Sequence, residues 1–491
     1  MAKNLKQKAA SGMVWTALRK YSTMFIHFIS GIILARLLTP HDYGCIGMLT
    51  IFMALANTFI DAGFGSALIQ RKQPTQADYS TIFFWNLGVA CLMYVLLFFS
   101  APAVARFYDI PLLCPVLRVQ ALVLFINAFN LVQRNQLKKN LNFKILSIVT
   151  IVTSIISLTV TIVMAYNGYG VWALVAQNLL VAAIPALVFW FYVKWRPLWT
   201  FSWKSFRELF SFGVYMLLSH FVNELGKHIQ GLLIGKLFSP ATLGYYSKAQ
   251  GTERMASSTI SSVITSVTYP LYATVQDDKK LLGNMIKRLT MTISYCTFPF
   301  MFILMLLAKP IFIILYSDRW LPSVIYFQVL CIVGISSCLQ AVNTQSIAAI
   351  GKSKQMFWWT LVKRGLGSGT MIIGLFIYGM KGFLAGVVFY NFLCYFVNIG
   401  LVSKYIGYKW TQQLTDLLPV TVVSIVAFFV SYFCGRLLGL GMYITGGIEL
   451  IVFLLIYFGW SFLFKPEAYT YTLNVILARF RNSGFDGKEC K

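Results

Sequence analysis

The residues of this 491-residue chain that could do chemistry are ionisable groups set inside long apolar runs. Arg19, Lys20 and His27 lie in the first run, Asp61 in the second and Arg118 in the fourth. Glu224, Lys227 and His228 lie in the seventh, Lys248, Glu253 and Arg254 in the eighth, and Lys363 and Arg364 in the eleventh. A charge placed in a bilayer costs about 2.5–3.5 kcal/mol, so each group needs a partner, water or a ligand. On a helix, Glu224, Lys227 and His228 stand at i, i+3 and i+4 and share one face. Lys20 and His27, seven apart, share another. Arg and Lys hold phosphate through charge-assisted hydrogen bonds. A wet cavity lined by Arg19, Lys20, His27, Arg118, Lys227, His228, Lys248 and Arg254 would therefore receive a pyrophosphate head group. Asp61, Glu224 and Glu253 are the candidate proton or sodium sites. Trp15, Tyr21, Trp85 and Tyr215 could stack on sugar faces, although packing or a lipid-interface belt is the simpler role for any one aromatic.

Each group also has a structural reading. Arg19 can snorkel to the cytoplasmic boundary, and Lys363 and Arg364 lie close to a loop. Glu224–Lys227 can be an internal ion pair. Asp61 can bond the turn near Gly63-Phe64-Gly65. Arg36 and Lys236 end their helices, where a cation is favourable. The run Ser257-Ser258-Thr259-Ile260-Ser261-Ser262 either bonds across packed helices or lines a polar path. No catalytic residue and no cofactor is expected: G-x-x-x-x-G-K-[ST] is absent. The nine cysteines show neither CxxC nor Cys/His ligand spacing and read as small apolar residues, so no metal or disulfide is expected.

The elements that must hold these groups are membrane helices. Hydrophobic residues make up 58% of the chain and charged residues 11%, against about 25% charge in soluble domains. With a mean hydropathy of +0.71, lipid must solvate much of the surface. Helices are predicted at 11–38, 42–70, 78–106, 112–137, 144–166, 169–194, 207–238, 242–272, 281–308, 322–350, 354–379, 382–403, 414–437 and 441–464. Lys3, Lys6 and Lys8 precede an apolar run too long for a signal-peptide core, which reads as a first membrane helix with a cytoplasmic N-terminus. Of the 41 Lys/Arg, 26 then fall in inside segments and five outside, namely Arg106, Lys309, Arg319, Lys381 and Arg436. That bias supports an even helix count with both termini cytoplasmic. The net charge of +26 is strung along short gaps rather than clustered on a polar domain, so no nucleic-acid partner is expected.

An internal repeat orders the helices. Gly31-Ile-Ile-Leu-Ala-Arg36-Leu37-Leu-Thr39-Pro40-x-x-x-Gly44 recurs 200 residues on as Gly231-Leu-Leu-Ile-Gly-Lys236-Leu237-Phe-Ser239-Pro240-x-x-x-Gly244. The match reaches back to Ser11/Ser211, Val14/Val214 and Leu18/Leu218. A weaker echo at offset 208 joins Tyr108 to Tyr316 and Gln120 to Gln328. The repeated helices run the same way, so two parallel six-helix lobes are expected, 1–200 and 201–406. Residues 407–465 add helices 13 and 14, and 466–491 form a cytoplasmic tail. The charged helices 1, 2, 7 and 8 are repeat mates, which would face each other across a cleft between lobes.

The segment Ala35-Arg36-Leu37-Leu38-Thr39-Pro40-His41-Asp42-Tyr43-Gly44, with Asp61-Ala62-Gly63-Phe64-Gly65-Ser66-Ala67-Leu68-Ile69-Gln70-Arg71-Lys72, resembles the bacterial polysaccharide-exporter (Wzx-type) family. Asp78-Tyr79-Ser80-Thr81 and Phe84-Trp85-Asn86 continue the likeness, which is nearest to the colanic-acid-exporter and teichuronic-acid-translocase branch. The resemblance implies membership of the multidrug/oligosaccharidyl-lipid/polysaccharide superfamily, two lobes in a V, and residence in the bacterial inner membrane. It implies a flippase that carries undecaprenyl-pyrophosphate-linked oligosaccharide to the periplasmic leaflet by alternating access, for lipopolysaccharide, capsule or exopolysaccharide. The implied partners are the lipid-linked oligosaccharide, the bilayer, and the polymerase and chain-length regulator of the same pathway.

Two other functions are weighed against it. A multidrug/cation antiporter of the same superfamily would want an acidic or apolar cavity, whereas helical Lys/Arg outnumber Asp/Glu here. A membrane polymerase or glycosyltransferase would carry a large extramembrane catalytic loop, and the gaps between these helices are short.

Overall fold

The computed structural model describes residues 2–61, 68, 71, 74–275 and 278–470. Gly63-Phe64-Gly65, Lys72 and the tail beyond residue 470 lie outside the described residues. So do the side chains of Lys3, Lys6, Lys8, Ser211, Val214 and Tyr215. The described residues are almost entirely helical. The helices are α1 (Ala2–Leu37), α2 (Pro40–Asp61), α3 (Gln76–Tyr108), α4 (Leu113–Gln120), α5 (Leu122–Lys139), α6 (Phe143–Tyr166), α7 (Val171–Tyr192), α8 (Trp203–Leu237), α9 (Pro240–Thr274), α10 (Lys279–Leu306), α11 (Ala308–Tyr316), α12 (Ser323–Ala349), α13 (Ser353–Ile406), α14 (Trp410–Leu438) and α15 (Met442–Phe464).

Ten stretches among the described residues are long and apolar enough to cross a membrane, with α4 and α5 together forming one. α13 breaks at Tyr378–Gly379, and its two halves pack so closely that a Cβ on Gly374 would overlap the Gly382 carbonyl. It is therefore two antiparallel spans. α1, α8 and α9, of 36, 35 and 35 residues, are long enough to span but fall outside the apolar set. They are the helices richest in the predicted intramembrane charges. Adding them to the divided α13 gives the expected fourteen crossings, and the protein is a multi-pass all-α membrane protein.

The helix faces carry a membrane pattern. On α6, Ser147, Thr153, Ser154, Ser157 and Thr161 are buried, while Ile148, Val152, Ile155, Ile156, Val160 and Val163 are exposed. The buried hydroxyls return to their own helix, as Thr161 does to the Ser157 carbonyl at 2.6 Å, or cross to a neighbour, as Ser147 does to the Trp15 carbonyl on α1 at 2.8 Å. Small polar residues let helices approach closely while aliphatic side chains face lipid. α14 repeats the pattern, with Ser424, Ala427, Ser431 and Gly435 buried and Leu418, Val422, Val426 and Phe433 exposed.

The chain divides into two compact units, Met1–Ser247 and Lys248–Lys491. The divide falls inside α9 rather than at the residue 200 suggested by the repeat. In the first unit, α1 packs on α6, α6 on α7, α3 on α5, and α8 on α2. In the second, the two additional helices pack on α10: Tyr457 Oη donates to the Tyr295 carbonyl at 2.7 Å and Tyr295 Oη to Ser461 Oγ at 2.8 Å. Phe453, Leu417 and Val420 complete that core.

The repeat is visible in the backbone. Thr39 and Ser239 both accept from the amide three residues on, at 3.3 and 3.2 Å, and Pro40 and Pro240 fill the first helical position. Gly44 and Gly244 then meet the partner repeat reciprocally. A Cβ on Gly44 would overlap the Pro240 carbonyl, and one on Gly244 would overlap the Pro40 carbonyl. The repeated Pro-x-x-x-Gly is thus a two-fold helix crossing. The offset of 208 reappears as Asp109 (φ 58°) and Ser317 (φ 87°), the left-handed residues that follow buried Tyr108 and Tyr316. Gly170 (φ 51°, ψ −125°) and Gly379 (φ 59°, ψ −136°) make matching turns that only glycine adopts easily.

Candidate functional site

A cavity of about 520 Å³ opens inside the first unit, between α1, α2, α4, α5, α6 and α7. Two guanidiniums line it, Arg19 from α1 and Arg134 from α5. Asn57, Gln120, Asn127, Asn130 and Asn178 supply carboxamides, and Thr50 and Thr150 hydroxyls. Apolar walls come from residues such as Leu49, Met53, Val123 and Phe189. Asn127 Nδ2 donates to Asn57 Oδ1 at 3.2 Å, tying α5 to α2. Gln120 Oε1 and Asn130 Oδ1 are buried and accept no hydrogen bond from the described protein atoms. Buried acceptors are costly unless a donor reaches them. A hydroxylated molecule with an anionic group would satisfy them together with the guanidiniums.

Asp61, exposed at the end of α2, lies close enough to Arg134 and Lys138 to interact with both electrostatically, and Arg19 is close to Arg134. The structure therefore brings Arg19 and Asp61 together around Arg134, which was not among the predicted site residues. Lys20 and His27 are exposed on α1 and do not line this cavity. Arg118 also stands apart: its Nε donates to the Phe98 carbonyl at 3.3 Å and its guanidinium lies 4.2 Å from the Phe98 ring centroid. On α8, Glu224, Lys227 and His228 form the cluster their spacing predicts. Glu224 Oε1 is 2.5 Å from Lys227 Nζ, and Oε2 is 3.3 Å from His228 Nε2.

The second unit encloses two of its ionisable groups, Lys248 and Glu253. Lys248 is buried, with Nζ 4.1 Å from the Tyr316 ring centroid and 5.5 Å from that of Trp320, a cation–π arrangement. Glu253 is buried one turn on and bonds Ser257. Gly334 of α12 makes its room, since a Cβ there would lie 2.5 Å from Glu253 Oε1. Arg254 is exposed. Lys363 Nζ bonds Asn398 Oδ1 at 2.9 Å, joining the two halves of α13. The hydroxyl run reaches α12 through Ser261, 3.7 Å from Cys338 Sγ, which is the close-packing role.

Among the proposed stacking aromatics, Trp85 packs against Phe206 at 4.4 Å and belongs to an aromatic core with Phe83, Trp190 and Trp195. Trp15 stands 5.8 Å from Lys144 Nζ, and Tyr21 is exposed. No group of His, Cys, Asp and Glu among the described residues could hold a metal ion.

Sequence reasoning missed the amides and Arg134. Their signal was present: Asn127, Asn130 and Arg134 stand at i, i+3 and i+7, one face of a helix. A search restricted to charged residues passes over the asparagines.

Comparisons with known proteins bear on the fold and the family. The chain is 24% identical to teichuronic acid biosynthesis protein TuaB of Bacillus subtilis over 439 residues, covering 87% of this chain and 90% of that one. It is 22% identical to lipopolysaccharide biosynthesis protein WzxC of Escherichia coli K12, covering 89% of each. The fold is similar to that of the lipid II flippase MurJ, with a TM-score of 0.70 and 14% identity over 92% of this chain and 99% of that one. A model of the polysaccharide biosynthesis protein family matches residues 33–325. That match covers more than half of the chain, which belongs to the polysaccharide biosynthesis protein family.

Proposed function

We propose that this protein is a flippase that moves undecaprenyl-pyrophosphate-linked oligosaccharide from the cytoplasmic to the periplasmic leaflet of the bacterial inner membrane. The observation that carries the reading is the cavity of the first unit. It pairs two guanidiniums with five carboxamides, among them two buried acceptors that take no donor from the described residues. Guanidiniums suit a pyrophosphate, and free amide oxygens suit sugar hydroxyls. The lipid chain stays in the bilayer while the head group crosses, by alternating access. Relatives named for teichuronic acid and lipopolysaccharide biosynthesis support a glycan cargo.

The residue roles follow from burial. Arg19 and Arg134 bind the pyrophosphate, and Asp61 sets the charge balance at its entrance. The α8 cluster of Glu224, Lys227 and His228, with exposed Lys20, His27 and Arg254, attracts the anionic head group. Glu253, enclosed and able to gain or lose a proton, is the candidate coupling site. Both termini are cytoplasmic, and the polymerase and chain-length regulator of the pathway receive the product.

A multidrug antiporter is the competing reading within the superfamily. Proteoliposomes separate the two. Fluorescent undecaprenyl-pyrophosphoryl oligosaccharide should change leaflets at a protein-dependent rate, a neutral lipid-linked glycan of the same length should not, and a cationic dye should not be exported. Dye export without transfer of the pyrophosphate-linked lipid overturns the proposal.

A further inference from the structure

A second pocket, of about 280 Å³, lies in the other unit, where the start of α10, the end of α13 and the start of α14 meet. Its charged lining is Lys279, Lys280, Lys287 and Asp416, with Asn284, Gln412 and Thr415 as neutral hydrogen-bonding groups. Asp416 is already committed. Its Oδ2 accepts from Tyr408 Oη at 2.6 Å and its Oδ1 lies 3.3 Å from Lys287 Nζ. Burial and the adjacent carboxylate push the Tyr408 phenol above its ordinary range, so it stays a donor. The Asp278 carboxylate is likewise occupied, capping α10 through the amides of Lys280 and Leu281 at 3.0 Å each. The ammonium groups of Lys279 and Lys280 are therefore left as excess positive charge at a concave surface.

The backbone shapes the hollow. Gly283 lines it, and a Cβ built there would stand in ordinary contact with Ile406 and Tyr408, at 3.9 Å from each. Gly407, at φ 94°, turns the chain so that Tyr408 reaches Asp416. Leu281 and Trp410, close in sequence to lining residues, are 46% and 56% exposed. An apolar and an aromatic side chain beside lysines is the arrangement of a membrane–water interface, and basic pockets between helix ends there bind phosphorylated head groups.

We propose that this pocket binds a phosphate anion carried by an anionic phospholipid of the surrounding leaflet, at a site separate from the cargo cavity. Lys279 and Lys280 supply the attraction, and the Lys287–Asp416–Tyr408 chain holds the wall in place. Phosphatidylcholine carries the same phosphate but no net charge, so it should bind more weakly. A soluble pyrophosphate offers the same chemistry without a lipid chain. The inference does not depend on the flippase reading.

Native mass spectrometry of the full-length protein in detergent tests it, with phosphatidylglycerol, phosphatidylcholine and inorganic pyrophosphate titrated separately. Phosphatidylglycerol should be retained in preference to phosphatidylcholine. The double variant Lys279→Ala/Lys280→Ala should weaken that retention by about tenfold or more, and Lys279→Arg/Lys280→Arg should restore it. Melting temperature and elution volume verify that each variant is folded. Lysine-dependent binding of pyrophosphate without phosphatidylglycerol selectivity would keep the anion site but overturn a lipid as its source. Equal retention of phosphatidylglycerol by wild type and the double alanine variant, with no lysine-dependent pyrophosphate binding, overturns the proposal altogether.

Discussion

The two units share a backbone plan and use it differently. Each has a left-handed residue after a buried tyrosine, Asp109 in one and Ser317 in the other, and each has a glycine-only turn, at Gly170 and Gly379. In the first unit two guanidiniums, Arg19 and Arg134, stand among amides around an open cavity. In the second, two groups are enclosed, Lys248 by Tyr316 and Trp320 and Glu253 against Gly334. Charges around a cavity can meet a ligand. A charge sealed among side chains can respond only to a proton, a small ion or a rearrangement. On the function proposed above, the duplicated frame would separate cargo recognition from a candidate coupling site.

The largest effect should come from removing the cavity's charge. Arg19→Ala with Arg134→Ala should lower leaflet transfer of the pyrophosphate-linked lipid by at least about 100-fold, since a hydrogen bond to a charged group is worth roughly 1.5–3 kcal/mol. Lys248→Met replaces the enclosed ammonium with an apolar side chain of similar length and should leave cargo affinity within about threefold. If Lys248→Met abolishes cargo binding while the arginine pair can be removed without loss, the two units have been assigned the wrong way round.

A smaller but more diagnostic effect belongs to Glu253. Glu253→Gln keeps the shape of the side chain and its contact with Gly334 but cannot ionise. Transfer should lose its dependence on a pH gradient while equilibrium binding of cargo persists. Gly334→Ala places a methyl against the carboxylate and should cost about 1–3 kcal/mol of stability by overpacking. A pH-gradient response retained by Glu253→Gln removes Glu253 as the coupling group.

How much of this was legible in the sequence depends on the range of the forces involved. Helix positions follow from apolar runs, and the repeat from Pro40/Pro240 and Gly44/Gly244, because local rules fix both. The α8 cluster was readable because i, i+3 and i+4 are neighbours on any helix. The surroundings of Lys248 were not, since Tyr316 and Trp320 lie about seventy residues away and only packing brings them together. Arg134 falls inside the predicted helix 112–137, but nothing local sets it apart from the basic residues that follow it. The observed helix runs on to Lys139 and turns Arg134 inward. The place where α8 belongs was equally hidden, because its packing on α2 is tertiary.

Asn127→Leu comes next. It removes the 3.2 Å bond to Asn57 and one cavity amide, and should cost about 1 kcal/mol of stability with a transfer loss of about three- to tenfold. An unchanged transfer rate would show that the amides are packing rather than contact groups.

The smallest effect on transport is expected at Arg118, and it is the sharpest internal control. Arg118 and Arg134 lie on consecutive helices that together make one crossing, and both are intramembrane guanidiniums. Arg134 faces the cavity. Arg118 spends its guanidinium on the Phe98 carbonyl and ring. Arg118→Met keeps the length of the stem and removes the charge, so it should lower stability by about 1–2 kcal/mol through the lost hydrogen bond and cation–π contact. Transfer per folded molecule should stay within about twofold of wild type. Arg134→Met should do the reverse, sparing the melting temperature and cutting transfer. Measuring melting temperature and transfer on the same preparations distinguishes the two arginines. If Arg118→Met cuts transfer as deeply as Arg134→Met at full stability, charge anywhere in this crossing would matter, and the division between cavity and scaffold would fail at the residue chosen to test it.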